Sequence, residues 1–368
     1  MMRAAAARHT AAAARARIMA LPAVAACLLA GCACEVREYR RIVMGAECRI
    51  LLCADESTAD RAAVAAFRRL AEVEEALSDW MVASEVRRLP MRAGERVPVG
   101  DNLATALAAS LAWSDRTDGA FDATLGALTS AWRSARAAGK PLDPAEARAL
   151  LARCGWRHVR FDASARTYAA AVDGLRLDFG AIGQGIGADA AMAAIRAEGV
   201  RSALVDLSGD VLAGDPPPGR RAWVIAADDG RGTTLFLRNQ AVTTSGDREQ
   251  HLDSGGERLS HVLDPTTGWP VTTRVQVMVI APTATEADAL ATALCVMGPE
   301  RGRALLAGHP EWTATWSWPD GTPAGAGAPA PAVTPASLTR PAPGPASPPA
   351  PPGPDRGAGP SAQGPSGR

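Results

Sequence analysis

The stretch LDFGAIGQGIGAD, residues 177–189, places four glycines directly after an apolar, strand-like run. Their spacing is G-x-x-G-x-G-x-G, in the middle of the chain. A dinucleotide-binding turn instead spaces its glycines G-x-G-x-x-G, and a Walker loop ends in GKS or GKT. Neither motif is met. Two interpretations therefore stay open: a helix start packed tightly against its neighbours, or a backbone cradle for phosphate.

Around this stretch the apolar pattern predicts an α+β fold in one domain, residues 32–318, without internal repeats or linkers. Positions that recur every three or four residues indicate helices, and alternating positions indicate strands. The pattern predicts helices over 59–78, 102–118, 143–154, 188–198, 285–297 and 299–307. It predicts strands within 37–54 (two, joined at Gly45), 158–171, 174–180, 202–214, 221–228, 235–247 and 274–282.

Both ends of the chain are predicted to lie outside this domain. Residues 1–31 read as a signal peptide, because an arginine-rich start without acids is followed by an apolar run over residues 18–30. The run ends in LAGC, which resembles a bacterial lipobox and predicts a lipid on Cys32, anchoring an exported protein to the membrane. The alternatives are an ordinary secretory signal with a chance cysteine, or a buried helix. Residues 319–368 are mostly Pro, Ala, Gly and Ser and are predicted to be disordered.

Charge and cysteine content exclude several classes of function. The 39 basic and 39 acidic residues balance, and no basic patch indicates nucleic-acid binding. The cysteines form no CxxC pair, which argues against zinc, and one disulfide is compatible with their number but cannot be assigned. There is no GxSxG motif, and Lys140 is the only lysine, so neither a serine triad nor a lysine nucleophile is predicted.

Two further segments carry residues suited to chemistry on phosphates. In TEADALATAL, residues 285–294, Asp288 and Thr292 lie four residues apart and face the same side of a helix. A carboxylate and a hydroxyl so placed suit a hard cation such as Mg²⁺, although each also has an ordinary structural use. His261 precedes the turn DPTTG, where a histidine can shuttle a proton or simply support the strand.

Taken in order, several segments resemble the ApbE family of FAD:protein FMN transferases. They are IVMGAECRI (42–50), EEALSDWMVASEVRRL (74–89), GAFD (119–122), LDFGAIGQGIGADAA (177–191), SALVDLSGD (202–210), TSGD with HVLDPTTGWPV, and EADALATAL (286–294). The resemblance implies an ApbE-like, T-fold-like domain, with FAD as substrate and Mg²⁺ as cofactor. It also implies transfer of FMN to a threonine of an acceptor protein through a phosphoester bond, with release of AMP.

Site residues also follow from the resemblance. FAD-contacting positions fall on Met44, Trp80, Ala120, Phe121, Asp122, Asp178, Gln184 and Val262. Metal ligation falls on the Ala181 carbonyl, Asp288 and Thr292, with Ala291 adjacent. His261 is the candidate for proton transfer at the reacting hydroxyl. The chain departs from the family at Gln184, which is usually lysine, at Trp80, usually tyrosine, and at Ser208, which replaces the first glycine of a Gly-Gly-Asp motif.

Two other functions remain compatible with these residues. Water in place of the acceptor hydroxyl would give an Mg²⁺-dependent FAD pyrophosphatase. A flavin-binding lipoprotein without activity is the third reading, which the absence of the family's lysine at position 184 makes less remote.

Overall fold

The computed structural model describes residues 34–227, 232–248, 250–318 and 322, all within one compact unit. Their six α-helices are α1 Glu56–Leu77, α2 Asp101–Arg116, α3 Gly126–Ala137, α4 Pro144–Leu151, α5 Gly183–Ala197 and α6 Ala284–Leu306. The strands are β1 Val36–Val43, β2 Ala46–Cys53, β3 Val97–Pro98, β4 Val159–Asp162, β5 Thr167–Ala170, β6 Ala203–Leu207, β7 Asp210–Ala213, β8 Trp223–Ala226, β9 Thr234–Leu237, β10 Gln240–Ser245, β11 His251–Ser254, β12 Glu257–Ser260, β13 Gln276–Ala281 and β14 Thr313–Ser317. The predicted α+β class is confirmed.

Seven strands form one antiparallel sheet in the order β1-β2-β6-β7-β10-β13-β14. Two of its hairpins close through two-residue turns with positive φ at both positions: Met44 (55°) with Gly45 (71°), and Ser208 (52°) with Gly209 (106°). Such turns match the right-handed twist of the flanking strands. A non-glycine residue in this conformation is strained, so Met44 and Ser208 are held there by the hairpins around them.

Alternation along the strands buries both faces of this sheet. On β6, Val205 points into the main core with α1, α5 and α6, whereas Leu204 points into a second cluster on the opposite face. The hairpin of β8 and β9 covers that second face with Trp223 and Leu237. The sheet is therefore enclosed between a helical layer and a two-stranded ribbon, as the near-continuous apolar runs of β6 and β13 require.

A third cluster lies beside the main core and carries α3. Trp132 and Leu128 of α3 pack with α4 and with the hairpin of β11 and β12. The Trp132 indole donates to the Gly268 carbonyl at 3.0 Å, which fixes the DPTTG turn to the helix. Gly268 has φ 69°, and the Asp264 carbonyl accepts its N–H at 2.8 Å. The chain just after His261 is thus attached to α3.

Helices α5 and α6 cap each other's N-termini. Asp189 of α5 accepts from the Ala284 N–H at 3.0 Å, and from the Thr285 N–H and hydroxyl at 2.9 and 2.6 Å. In return, Asp288 of α6 accepts from the Gly185 N–H at 2.9 Å. The first N–H groups of a helix lack partners within it, so each carboxylate satisfies donors that the other helix leaves free.

The glycines of the opening stretch permit this close approach. A Cβ at Gly185 would lie 2.4 Å from the Ala284 carbonyl oxygen, and one at Gly187 would lie 2.6 Å from the Met44 sulfur. At Gly183 the same atom would meet only ordinary contacts, at 3.9 Å and beyond. Of the two interpretations, the tight packing of a helix start describes Gly185 and Gly187.

Several predicted elements need correction. The helix predicted from residue 188 begins at Gly183, and the strand predicted over 174–180 is wrong, since only Arg176 makes a single bridge, to Leu125. By contrast, the two predicted helices 285–297 and 299–307 are confirmed, because α6 is broken between them at Gly298, whose backbone is not helical (φ 70°). Helix α3 and strands β3, β11, β12 and β14 were not predicted; each of these strands is at most five residues long.

Cys34 and Cys53 form a disulfide that joins the start of β1 to the end of β2, with Cα atoms 5.3 Å apart. Sequence alone did not assign this pair. The predicted signal peptide 1–31, the lipidated Cys32 and the tail 319–368, apart from Thr322, lie outside the described residues. Within the described part of the chain, every helix is too short or too polar to cross a bilayer.

The helix contact at Gly185 gives a stability test. Gly185→Ala forces a Cβ against backbone atoms that cannot move independently, so we expect it to lower the free energy of unfolding by about 1–3 kcal/mol. Gly183→Ala, two residues earlier on the same helix, should change it by less than about 1 kcal/mol and is the matched control. Urea unfolding of both variants measures the difference. Equal stability of the two would contradict the close-packing role of Gly185.

Candidate functional site

The candidate metal-binding residues lie where α5 and α6 meet. Ala181 is in the turn directly before α5, one helical turn from Gly185, which donates to Asp288. Thr292 follows Asp288 by one turn of α6, and its hydroxyl lies 3.5 Å from the Ser245 hydroxyl at the end of β10. Ala291 is fully buried in the core. The structure therefore brings the predicted ligands to the same helix junction.

Asp288 carries a perturbed carboxyl group. Its side chain is buried, and this desolvation raises its pKa to about 7; the Gly185 N–H lowers the pKa and Asp189 raises it. Asp210, at the start of β7, is a neighbour that sequence reasoning did not assign to the site. Burial raises the pKa of Asp210 well above its usual value, and the nearby Asp288 raises it further. Asp288 and Asp210 are thus neighbouring carboxyl groups in a buried environment that disfavours their charged forms.

This donor set suits a hard divalent cation. Among the described residues, no three His, Cys, Asp or Glu side chains cluster as a metal site would require. A site of the predicted kind needs fewer, because a hydroxyl and a backbone carbonyl supply further oxygens. Asp288 accepts from Gly185 through Oδ2, which leaves Oδ1 for a cation. A cation there would offset the charge of two carboxylates that otherwise resist ionisation together.

His261 sits after β12 with a defined tautomer. Its Nδ1 donates to the Gln250 carbonyl at 3.3 Å, and because a carbonyl only accepts, the proton is on Nδ1. Burial and the nearby Arg136 guanidinium lower the pKa of His261, whereas Gln250 and Asp247 act in the opposite direction. The neutral ring is therefore favoured, with a free lone pair on Nε2, which is the form a general base requires.

A crevice beside His261 holds a buried carboxylate, Asp247 of the TSGD segment. Asp247 is 3% exposed, and neither carboxylate oxygen has a hydrogen-bond partner in the described residues. Val262, a predicted FAD contact, lines the same crevice, together with Gly246, Ser260, Arg274 and Cys295. Val262 therefore lies next to His261 at the edge of a polar opening.

The two predicted FAD-contacting aspartates are held by turns. Asp122 accepts from Thr124 N–H and hydroxyl at 2.8 and 2.7 Å and from the Trp156 N–H at 3.0 Å, and burial raises its pKa. Asp178 accepts from the Gly180 N–H at 2.7 Å and from the Thr129 hydroxyl at 2.6 Å. These carboxylates fix the chain around the predicted site.

The remaining predicted FAD contacts lie at different depths. Phe121 and Ala120 are buried, whereas Trp80 is 70% exposed, with the Arg133 guanidinium 3.9 Å from its ring centroid. The Met44 side chain lies against Gly187 of α5. Gln184 lies in the first turn of α5, and its amide makes no hydrogen bond within the described residues. Contact of these residues with FAD stays a prediction.

The raised pKa of Asp288 predicts how the stability of the helix junction depends on pH. Between about pH 4 and pH 7, folded Asp288 retains a proton that the unfolded chain has released, so the free energy of unfolding falls as pH rises through this window. Asp288→Asn cannot ionise, and we expect its stability to fall less over the same window in metal-free buffer. Urea unfolding at pH 5 and pH 7.5 measures this.

Glu300→Gln, at an exposed position of the same helix, is the control and should retain the wild-type pH dependence. Parallel pH dependence of wild type and Asp288→Asn would contradict a proton held at Asp288.

Comparisons with known proteins agree with this arrangement. The ApbE family model matches residues 44–316. An FAD:protein FMN transferase of Treponema pallidum (strain Nichols) is 33% identical over 78% of this chain and 86% of its own, and one of Klebsiella pneumoniae (strain 342) is 30% identical over 74% and 86%.

Solved structures show the same fold. The ApbE protein of Thermotoga maritima has a TM-score of 0.70 at 28% identity, covering 77% of this chain and 94% of its own. The apo flavinyl transferase ApbE of Pseudomonas stutzeri has a TM-score of 0.66 at 30% identity, covering 77% and 91%. The chain belongs to the ApbE family.

Proposed function

We propose that this protein transfers the FMN moiety of FAD to a threonine of an acceptor protein. Relatives of similar length that match most of the chain are FAD:protein FMN transferases. The observation that carries the proposal for this chain is the desolvated pair Asp288 and Asp210 beside Thr292, and the chain also supplies His261, whose pKa is lowered. This arrangement combines oxygen ligands for a cation with a base, and it needs no covalent nucleophile of the enzyme.

The proposed cofactor is Mg²⁺, held by Asp288, Thr292 and the Ala181 carbonyl. When bound, it would neutralise charge on the phosphoryl oxygens of FAD. The threonine hydroxyl oxygen bonds to the phosphorus of the FMN half, the diphosphate bond breaks, and AMP leaves. His261 Nε2 takes the hydroxyl proton, while the Gln250 carbonyl keeps Nδ1 protonated and the ring oriented.

A flavinylation assay tests this function. Purified protein is incubated with FAD, Mg²⁺ and a candidate acceptor protein, and covalent flavin fluorescence is read on the acceptor in a denaturing gel. We expect fluorescence with wild type and none with Asp288→Ala, because the cation ligand is lost. His261→Ala should lower kcat by roughly 100-fold or more, the usual contribution of a general base.

The outcomes of this assay are distinct. Free FMN and AMP without labelled acceptor would show hydrolysis, and unchanged FAD would show a binding protein. Full transfer by Asp288→Ala would overturn the metal site. A full rate in His261→Ala would remove that residue from proton transfer.

We also propose that the protein is exported and lipid-anchored through Cys32, facing the periplasm or the extracytoplasmic side. Two features support this: the LAGC tetrapeptide after an apolar run, and the Cys34–Cys53 disulfide. Disulfides persist in oxidising compartments outside the cytosol.

Detergent phase partitioning of the expressed full chain tests the anchor. Wild type should enter the detergent phase and incorporate labelled fatty acid, because a lipidated cysteine supplies the apolar chain. Cys32→Ala should do neither. A Cys32→Ala chain that still carries the label would disprove the anchor at this position.

A further inference from the structure

The candidate site is short of positive charge for a diphosphate. Asp178, Asp210 and Asp288 all lie in it, and Gln184 is neutral. A diphosphate is an anion, and cleavage places further charge on its oxygens, so a single divalent cation among these carboxylates leaves little net positive charge. With lysine present only at exposed position 140, further cations have to be arginines.

Helix α3 carries two arginines toward the site. Thr129, Arg133 and Arg136 follow each other at steps of four and three residues and therefore share one face of the helix. Thr129 donates to the Asp178 carboxylate, and an Arg133 nitrogen lies 3.8 Å from the same oxygen. This face of α3 is thereby placed against the stretch that leads into α5.

Arg133 is already neutralised. One of its nitrogens donates to Asp79 at 2.6 Å, another faces Asp178, and its guanidinium covers the Trp80 ring. Because Arg133 contacts two carboxylates and an aromatic face, its role is to hold the exposed Trp80 and Asp178 in position.

Arg136, one turn later, is partly buried, and its side chain has no ion pair, hydrogen bond or aromatic partner among the described residues. Burial lowers the pKa of Arg136, and the neighbouring Arg133 lowers it further. The positive charge of Arg136 also lowers the pKa of His261. A partly desolvated cation without an ion-pair partner is less favourable than a paired one, so this position favours the binding of an anion.

We propose that Arg136 binds a phosphate oxygen of the flavin dinucleotide, so that its guanidinium supplies the positive charge that Gln184 lacks. The inference rests on the proposed function in taking FAD as the ligand. A guanidinium can hold two phosphate oxygens at once through parallel N–H donors, which also orients the diphosphate. Arg136 is then a substrate-binding residue of this chain.

Binding measurements with FAD and riboflavin test this proposal, because riboflavin carries no phosphate. Dissociation constants are obtained from flavin fluorescence with wild type and Arg136→Gln. We expect Arg136→Gln to weaken FAD binding by about 10-fold or more, the scale of a hydrogen bond to a charged group, and to change riboflavin binding by less than about twofold. Arg136→Lys keeps the positive charge but not the parallel donors, so it should recover only part of the FAD affinity.

Arg301→Gln, at an exposed position of α6 that also has no partner in the described residues, is the matched control and should bind FAD as wild type does. The melting temperature without ligand separates binding from a structural role, since removal of an unpaired cation should leave it unchanged or raised. Unchanged FAD affinity in Arg136→Gln, equal loss for FAD and riboflavin, or a lowered melting temperature would overturn the proposal. A wild type that binds FAD without labelling any acceptor would instead contradict the proposed transfer. The FAD affinities of wild type and Arg136→Gln would still test the role of Arg136 in binding.

Discussion

The rest of this structure depends on the reciprocal capping of α5 and α6. Asp189 of α5 satisfies the first N–H groups of α6, and Asp288 of α6 satisfies the Gly185 N–H of α5. The two carboxylates can do so only because residue 185 has no side chain, which brings α5 against the Ala284 carbonyl. Two positive helix ends therefore meet at one place, and the acids between them are fixed in position. Every candidate metal ligand is one turn or less from this junction.

The junction also explains why buried acids are tolerated there. Burial of Asp288 near Asp210 is unfavourable for the charged forms, as their raised pKa values show. Hydrogen bonding and the helix N-terminus offset part of this for Asp288, and no comparable bond to a backbone N–H offsets it for Asp210 among the described residues. The folded chain without ligands thus retains an electrostatic cost that a divalent cation would remove. The buried carboxyl groups therefore lower the stability of the cation-free fold at the same position where a cation would bind.

The sequence predicted those features of the fold that depend only on residues close together in the chain. The hairpin at Gly45, the helix start at Pro144 and the face shared by Asp288 and Thr292 follow from turn geometry, capping and helix periodicity. The glycine stretch was misleading because a helix rich in glycine looks like a loop until its packing partner, here α6, is known. Residues 174–180 alternate like a strand, yet only Arg176 finds a bridging partner. The positions of Asp210, Asp247 and Arg136 relative to the site depend on tertiary packing, and no spacing in the chain indicates them.

Acids and arginines have different uses in this site. Asp122, Asp178 and Asp189 bond to backbone N–H groups and hold turns and helix ends in place, so their charges are already satisfied. Arg133 is likewise occupied by Asp79 and Asp178. The groups of the site that lack an oppositely charged partner among the described residues are Asp210, Asp247 and Asp288 on one side and Arg136 on the other. A cation would offset the charge of Asp210 and Asp288, and an anion would pair with Arg136. Magnesium bound to a diphosphate supplies both. The unsatisfied charges of the chain thus correspond to the two charges of the proposed substrate complex.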